Sequence, residues 1–395
     1  MFYLIWDMKA SFVLFFATFF ILYGLVNTYI FIRGWQAIPS GSPIRPIYAL
    51  VFMIVALSFI GGRLLENIWL SPVSDVFVWI GAFWIAAMLY FFLAILALDL
   101  LRFVHRSVPF LPAAWMNHYA RTKMITAIIV IFGVAIVLLA GHVNALTPRI
   151  RTLELSIPKD SVNLKSLSIV SVSDIHLGTI IGRRRLERLV SRVNSLNPDL
   201  ILLPGDIVDE DLAPVIKQNQ GEHLNRFKST LGVYAVMGNH EYIGGAEESH
   251  AYLVDHGVTV LRDRVIKLDN SLYLVGREDR SMQRFTGRTR KPLPELMISV
   301  DKRFPVILMD HQPFHLEEGE DNGADLQISG HTHHGQLWPV NFITGRVYEL
   351  DWGYKRKGRT QIYVSCGYGT WGPPARIGNR PEIVHIRLRF QPPSP

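Results

Sequence analysis

The chain has little cysteine and little charge. Its 395 residues include one cysteine, Cys366, so neither an intrachain disulfide nor a cysteine-based zinc cluster can form within it. This cysteine usage neither requires nor excludes an oxidising compartment. Cys366 ends the apolar run Ile362–Cys366, so we expect it to be a small core residue. Charged residues make up 18% of the chain and hydrophobic residues 49%.

The sequence also lacks internal repeats, long low-complexity segments and any motif typical of nucleic-acid binding. Its formal net charge of +7 would suit either nucleic acid or an anionic lipid surface. Because no nucleic-acid motif accompanies the charge, we expect a lipid bilayer as partner and no nucleic acid.

The hydrophobic residues are concentrated in residues 1–145. A helix needs roughly 20 apolar residues to cross a bilayer, because lipid cannot satisfy polar backbone groups. Four runs approach or reach that length: Ser11–Ile32, Ile47–Gly62, Val76–Leu98 and Met124–Gly141. The second is short unless it continues past Arg63 towards Leu70. A signal peptide is shorter and is not followed by three more such runs. We therefore predict a membrane module of about four transmembrane helices over residues 1–145.

Basic residues near the ends of these runs predict the orientation. Six lie on one side of the bundle: Arg33, Arg45, Arg102, Arg106, Arg121 and Lys123. The other side has Lys9 and Arg63, although three basic residues after the fourth run reduce the contrast. We expect both chain ends outside the cytoplasm, on the periplasmic or extracellular side. Arg63 and Glu66 are three residues apart, and we favour an ion pair at the membrane interface over an intramembrane functional site.

Residues 150–390 have the composition of a globular α/β domain. Short β-branched runs predict strands at Leu167–Val172, Leu200–Leu203, Val233–Met237, Val306–Met309, Leu326–Ile328, Gln361–Val364 and Ile383–Phe390. Helices are predicted at Arg183–Asn194 and Ala246–His256, and a hairpin between Val265 and Val275, turning at Asp269-Asn270. Residues 391–395 are expected to form a disordered tail.

Five polar clusters follow five of the predicted strands. They are Asp174-Ile-His176, Gly205-Asp206-Ile-Val-Asp209, Gly238-Asn239-His240-Glu241, Asp310-His311 and Gly330-His331-Thr-His333. One such cluster alone is usually a turn or a surface pair, but five in succession are not explained in that way. Oxygen and imidazole ligands without thiolates suit Mn, Fe, Zn or Mg. Neighbouring glycines permit tight turns and close backbone approach.

The order of these clusters and the residues within them resemble those of the calcineurin-like metallophosphoesterases, over about Leu167 to Ile386. The resemblance is greater to the membrane-anchored branch of that family, in which several apolar helices precede the catalytic domain. It implies an N-terminal transmembrane α-helical module followed by an α/β domain. That domain would be a two-sheet β-sandwich flanked by helices, the αββα metallophosphoesterase fold, with ligands in the loops at one edge.

The resemblance also implies two divalent metal ions and their ligands. The first ion would be held by Asp174, His176, Asp206 and His333. Asp206 would bridge to the second ion, which Asn239, His311 and His331 complete. A metal-bridging hydroxide would be the nucleophile of phosphoester or pyrophosphate hydrolysis. The family places at His240 a residue that binds the phosphoryl group or protonates the leaving group, and Asp209 would orient a ligand histidine.

Other residues near the clusters are less specific. His334 either lines the substrate pocket or is exposed, and Asp310 either tunes His311 or faces away. Arg183 could bind a phosphate, although a solvated helix face is the favoured interpretation. Aromatic residues in the later loops could contact an apolar substrate or lipid, or be ordinary core. They are Trp338, Phe342, Trp352, Tyr354, Tyr368 and Trp371.

Three functions compete on this basis. The first is hydrolysis of a membrane-embedded phosphate ester or pyrophosphate, such as a lipid-linked phosphate. The second is hydrolysis of a soluble phosphoester, with the helices as an anchor only. The third is a non-catalytic membrane receptor or transporter. The complete set of ligands argues against the third, so we predict a membrane-anchored phosphoesterase.

Overall fold

The computed structural model describes residues 2–159 and 164–391, with side chains from residue 17 onward in these ranges. The chain forms two compact units, the N-terminal unit Met1–Gly141 and the C-terminal unit His142–Pro395. Of the expected tail, only Gln391 belongs to the described residues; 392–395 lie outside them.

The N-terminal unit is helical, as its continuous apolar runs predict. Its helices are α1 (Phe2–Ala37), α2 (Ile44–Ile68), α3 (Pro72–Ser107), α4 (Ala113–Asn117) and α5 (Tyr119–Ala145), the last of which ends inside the C-terminal unit. In the described part of the chain, four of these are long and apolar enough to cross a membrane: α1, α2, α3 and α5. The second apolar run does continue past Arg63, which makes α2 25 residues long.

Small residues allow α2 and α3 to pack closely. A Cβ on Gly81 would lie 2.4 Å from the Cα of Phe59, and one on Gly62 would lie 2.8 Å from the backbone of Phe77. Close backbone approach at glycine is typical of membrane helix pairs. The expected Arg63–Glu66 pair forms on α2 with 3.1 Å between nitrogen and oxygen.

The C-terminal unit contains twelve described strands in two sheets. Its strands are β1 (Arg149–Ile157), β2 (Ser166–Ser171), β3 (Leu200–Pro204), β4 (Val233–Val236), β5 (Thr259–Val260), β6 (Arg264–Leu268), β7 (Leu272–Gly276), β8 (Val306–Met309), β9 (Leu326–Ser329), β10 (Gly353–Lys357), β11 (Thr360–Val364) and β12 (Glu382–Phe390). The first sheet has the order β1-β12-β2-β3-β4-β5 and the second β10-β11-β9-β8-β7-β6. Both sheets mix parallel and antiparallel pairs, as expected.

Helices and short helical turns connect the strands. They are α6 (Arg183–Asn194), α7 (Ala213–Lys217), α8 (Gly221–Leu224), α9 (Asn239–Gly244), α10 (Ala246–Asp255), α11 (Met282–Thr286), α12 (Leu293–Leu296), α13 (Glu317–Asp321) and α14 (Asn341–Val347), with 3₁₀ turns at Met297–Ser299 and His333–Gly335. Helix α6 buries Leu186, Leu189, Val190 and Val193, whose spacing places them on one face.

The main core lies between the two sheets. Ile169 and Leu202 of the first sheet pack in one buried cluster with Leu274, Ile307 and Ile328 of the second. A second cluster joins α6 and α10 to the other face of the first sheet. This arrangement confirms the predicted two-sheet sandwich flanked by helices.

Some strands were not predicted from the sequence, whereas others lie where they were predicted. The hairpin of β6 and β7 turns through Asp269 and Asn270, which both have positive φ, as the sequence indicated. Strand β1 was not predicted. It alternates between half-buried and exposed residues and pairs in parallel with β12 along its whole length. Its partner is more than 200 residues away in the sequence, so local pattern alone gave no reason to expect the pairing.

Candidate metal centre

The topology brings the ends of five strands to one edge of the sandwich. Strands β2, β3 and β4 are parallel neighbours in the first sheet, and β8 and β9 are parallel neighbours in the second. The carboxyl ends of parallel neighbours meet at one edge, where loops collect polar groups. The seven expected ligands follow these five strands: Asp174, His176, Asp206, Asn239, His311, His331 and His333. Five of them are buried, and Asn239 and His331 are half-buried.

One group of donors consists of Asp174, His176 and His333. The Nε2 atoms of the two histidines lie 3.0 Å apart. His333 Nε2 is 3.7 Å from Asp174 Oδ1. One potential ligand atom from each residue lies within 4.8 Å of the others, a spacing that could hold a metal ion.

A second group gathers around Asp206. Its Oδ2 atom lies 3.1 Å from His311 Nε2 and 3.9 Å from His176 Nε2. Asn239 Oδ1 is 3.2 Å from the same His311 nitrogen, and His331 belongs to the group. Asp206 therefore lies within 3.9 Å of a donor from each group.

His240 also lies within the cluster. One of its nitrogens falls within 4.8 Å of donor atoms on His176 and Asp206. Its ring packs edge-on against that of His176, with centroids 4.6 Å apart. By position alone, His240 could be a ligand or a group that faces the substrate.

The donor set fits divalent cations. Asp174 Oδ2 and His331 Nδ1 are buried and have no hydrogen-bond partner among the described residues. His311 Nδ1 lies 2.8 Å from the carbonyl oxygen of Pro204, to which it can donate a proton, so Nε2 is the nitrogen able to bind a cation. Carboxylate, amide and imidazole donors together suit Mn, Fe, Zn or Mg.

The backbone around the cluster is strained. Five of the seven expected ligands adopt positive φ without being glycine: Asp174, His176, Asp206, His331 and His333. Such conformations are costly, and they are concentrated at functional sites, where the surrounding structure enforces them.

Glycines beside the ligands leave room for side chains from neighbouring strands. A Cβ on Gly238 would lie 2.1 Å from Asp206 Oδ1, and one on Gly330 would lie 2.4 Å from Asp174 Oδ2. Any larger residue at either position would displace a ligand carboxylate. The close approach expected from the glycine-containing motifs is thus present.

Burial and neighbouring charges shift the pKa values of the site. Burial by itself lowers the pKa of His240, but Asp206 and Asp209 outweigh it and raise the pKa to about 9. Burial, assisted by the charge of His311, lowers the pKa of His331 to about 3. Burial opposes ionisation of Asp206, but the nearby histidines outweigh it and hold the pKa of that carboxyl well below its usual range.

Glu241 has a structural role that the sequence analysis did not assign. The side chain is fully buried. Its Oε1 accepts hydrogen bonds from the backbone amides of Ile207 (2.6 Å) and Val208 (2.9 Å). Its Oε2 accepts from the amides of Asp206 (3.1 Å) and Gly238 (2.7 Å). Glu241 thus joins the loop after β3 to the loop after β4. The final residue of the Gly-Asn-His-Glu motif was the available signal.

Arg376 is a second residue that was missed. Its guanidinium is fully buried and donates to His333 Nδ1 at 2.9 Å and to the carbonyl oxygen of Gly369 at 2.6 Å. Burial and the charge of Arg376 lower the pKa of His333, which keeps that ring neutral and able to bind a cation. An arginine in an irregular, proline-rich segment carries no local signal for this contact.

Asp209 lies close to two histidines of the cluster. Its Oδ1 lies 3.5 Å from His176 Nδ1 and 3.2 Å from His240 Nδ1. His334 interacts with a different acid, since its Nδ1 lies 2.8 Å from Asp351 Oδ2. Its ring lies beside that of Trp352 at 5.1 Å.

Asp310 and Arg183 form ion-pair and hydrogen-bond contacts outside the ligand cluster. The carboxylate of Asp310 pairs with Arg277 at 3.0 Å and with Arg290 at 2.8 Å. Arg183 opens α6 and donates from Nε to His223 Nε2 at 2.9 Å. Among the described residues, no hydrogen bond joins Arg183 to the ligand cluster.

The loop aromatics divide into buried and exposed members. Tyr368 is buried, and Trp352 donates from its indole nitrogen to Glu382 at 3.1 Å. Trp338 is 49% exposed and Trp371 is 53% exposed. Exposed apolar residues of α14 lie in the same part of the sequence as Trp338. Together these exposed residues are called the apolar patch: Trp338, Phe342, Ile343, Val347 and Trp371.

The apolar patch adjoins the cluster. The ring of Trp371 lies 5.8 Å from that of His240. The amide of Gln336 donates to the carbonyl oxygen of Trp371 at 3.0 Å and to that of Pro373 at 2.9 Å, so it ties the loop of Trp338 to the loop of Trp371.

The fold and the donor set define an αββα protein with side chains that could hold metal ions. The calcineurin-like phosphoesterase profile matches residues 167–335, which include all seven expected ligands. A transmembrane protein with metallophosphoesterase domain from Danio rerio is 31% identical over 279 residues, 67% of this chain and 61% of that protein. A metallophosphoesterase of Aquifex aeolicus is 32% identical over 225 residues, 56% of this chain and 85% of that protein.

A metallophosphoesterase of Campylobacter jejuni is similar over 93% of this chain and 96% of its own length, at 29% identity. The chain belongs to the calcineurin-like metallophosphoesterase family. Its four long apolar helices and its transmembrane relatives indicate a membrane protein.

Proposed function

We propose that the chain is a membrane-anchored hydrolase of phosphoester bonds that uses two divalent cations. One observation carries the proposal: seven nitrogen and oxygen donors from the ends of five strands converge on one site. Asp174, His176, Asp206 and His333 would hold one cation. Asp206, Asn239, His311 and His331 would hold the other. When bound, such cations acidify coordinated water and neutralise phosphoryl oxygens.

His240 is proposed to act on the substrate itself. Its Nδ1 faces Asp209, which leaves Nε2 as the atom that can donate to a leaving-group oxygen. The neighbouring carboxylates raise its pKa, which favours the proton that a general acid needs. Asp209 holds the ring in position and favours its charged form.

The central experiment compares Asp206→Asn with the wild-type chain. The substitution keeps the size of the side chain but removes the charge that attracts both cations. We expect loss of one or both metals by elemental analysis, and loss of nearly all turnover of a chromogenic phosphoester. Asp301→Asn changes a half-buried carboxylate that pairs with Arg303, outside the donor cluster, and serves as the control. Two retained metals with near-normal turnover would disprove the assignment.

We further propose that the substrate is a lipid-linked phosphate. The apolar patch, which adjoins His240 through Trp371, supports this idea because its exposed rings could contact an acyl or isoprenoid chain. Only residues 146–148 separate α5 from β1, so the linker between the last membrane helix and the first strand is short. Anchoring raises the effective concentration of a substrate that shares the bilayer.

Trp338→Ala tests the lipid substrate. We expect lower turnover of phospholipid or isoprenoid phosphates in vesicles and unchanged turnover of a small soluble phosphoester. Tyr354→Ala removes an exposed aromatic side chain from β10 and is the matched control. An equal effect of Trp338→Ala on both substrates would favour a soluble phosphoester, with the helices as an anchor only.

The catalytic side of the membrane is proposed to be extracytoplasmic. The excess of basic residues at the end of the bundle that carries Arg33, Arg102 and Lys123 supports this orientation. Reporter fusions at the C-terminus should be active only on the periplasmic or extracellular side. A cytoplasmic signal would reverse the topology without affecting the metal assignment.

A further inference from the structure

A cavity of about 390 Å³ lies inside the N-terminal unit. Residues of α1, α2, α3 and α5 line it, so it lies between the four helices that can cross a membrane. Its volume falls within the range of roughly 300–1,000 Å³ typical of ligand pockets. The cavity shares no lining residue with the metal centre, so a ligand bound in it would not depend on the proposed hydrolase function.

One end of the cavity is cationic. Arg33, Arg102 and Lys123 line it, from the end of α1, the end of α3 and the beginning of α5. Helices α1 and α3 end where α5 begins along the up-and-down path of the chain, so the three cations share one end of the bundle. Among the described residues that line the cavity, none is Asp or Glu.

A single acidic residue, which does not itself line the cavity, forms ion pairs with two of these cations. Asp99 pairs with Arg33 at 2.6 Å and with Arg102 at 3.1 Å. Three cations and one carboxylate leave an excess of two positive charges at this end of the cavity. The pairing restrains both guanidinium groups and offsets only one of the three positive charges, which suits a doubly coordinated anion such as a phosphate.

Most of the remaining lining is apolar. Trp84, Phe91 and Val130 line it deeper in the bundle. Trp84 and Arg102 are 18 residues apart on α3, roughly 27 Å at the rise of an α-helix. This length exceeds one leaflet of the hydrocarbon core, about 15 Å. The cavity is therefore long enough to accept an extended acyl chain.

We propose that this cavity binds one anionic phospholipid. The phosphate would lie among Arg33, Arg102 and Lys123, and an acyl chain would extend past Phe91 towards Trp84. A free phosphate would leave the apolar length unused, and a zwitterionic lipid would bring its own positive charge to the cationic end. Basic pockets between membrane helices bind anionic lipid headgroups on the same electrostatic grounds.

The test uses the full-length chain, purified in mild detergent and studied by native mass spectrometry. The added probes are phosphatidylglycerol, phosphatidylcholine with the same acyl chains, and glycerol 3-phosphate. We expect one tightly retained phosphatidylglycerol, at least about tenfold weaker retention of phosphatidylcholine given the charge difference, and no retained glycerol 3-phosphate. Equal retention of the two lipids, or binding of glycerol 3-phosphate alone, would overturn the proposal.

Paired charge variants separate this site from general attraction of lipid to a basic protein. The double variant Arg102→Gln/Lys123→Gln removes two lining cations and should weaken phosphatidylglycerol retention roughly 30-fold. Arg106→Gln/Arg121→Gln removes the same charge from exposed positions of α3 and α5 that do not line the cavity. This control should retain the lipid as the wild type does. Equal losses of phosphatidylglycerol retention in both double variants would mean that the lipid is attracted only to the basic protein surface.

A filling variant tests the apolar part. Ala127 lines the cavity, whereas its neighbour Ile128 is exposed on the outer face of α5. Ala127→Phe should abolish retention of phosphatidylglycerol, and Ile128→Phe should leave it unchanged. Undiminished retention in a folded Ala127→Phe protein would overturn the proposal. If that variant does not fold, the two charge variants still decide the outcome.

Discussion

Glu241→Gln tests how the metal centre is built. The carboxylate of Glu241 accepts four backbone N–H groups, two on each oxygen. Glutamine has nearly the same shape, but one of its oxygens is replaced by an amide NH₂, which can only donate. In either orientation of that amide, two buried backbone N–H groups would face a donor. They belong either to Ile207 and Val208 or to Asp206 and Gly238.

The decrease in the free energy of unfolding depends on those two buried N–H groups. Leaving a buried donor unsatisfied costs about 1–3 kcal/mol, so the substitution should lower the free energy of unfolding by about 2–6 kcal/mol. For a domain of roughly 150–250 residues, each kcal/mol corresponds to about 2–4 °C, which gives a decrease in Tm of about 4–24 °C. Because one of the four N–H groups belongs to Asp206, divalent-metal affinity should fall as well.

The assay is thermal unfolding of the full-length chain in detergent, combined with metal titration. Glu248→Gln makes the same chemical change at an exposed position of α10 and should shift Tm by less than about 1 °C, as is usual for surface substitutions. If Glu241→Gln matched this control in both Tm and metal affinity, the reasoning from four accepted hydrogen bonds would be refuted.

Three further predictions concern single groups in the C-terminal unit. His240→Ala should keep its metals while turnover falls by roughly 10²–10⁴; parallel loss of metal would make His240 a ligand. Burial raises the pKa of the Cys366 thiol, so iodoacetamide at pH 8 should label the chain only after denaturation, and rapid labelling of folded protein would contradict this. Burial opposes protonation of His311, but Asp206 outweighs it and raises the pKa of His311 well above its usual range. That proton must leave before Nε2 binds a cation. Calorimetry should therefore show proton release on metal binding and a metal affinity that rises with pH. A metal affinity that falls with rising pH would contradict the assignment.

The sequence allowed the elements to be predicted because their signals are local. The apolar run that became α5 is long enough to span lipid, and the four leucines and valines of α6 repeat at helical spacing. The hairpin at Asp269-Asn270 was predictable because these residues tolerate positive φ. Strand β1 differs, because its alternation includes arginine and glutamate and its pairing partner is β12.

The same division applies to the candidate site. Each motif places its donors at a strand end, and the order of the motifs indicates the family. Which donors approach one another depends on strand pairing between residues as far apart as His176 and His333, whose Nε2 atoms lie 3.0 Å apart. The contact of Arg376 with His333 likewise requires the folded chain.

The sequence by itself determined the membrane helices, the α/β class and the set of residues able to bind metal, because hydropathy and residue chemistry are properties of the chain. The tertiary structure decided which donors share a position, that Glu241 supports the loop of Asp206, and that Tyr368 is buried while Trp371 is exposed beside His240. The physical reason is that burial, hydrogen-bond partners and pKa values depend on groups brought together from distant positions in the chain. The short-range periodicity of the sequence does not specify these long-range contacts.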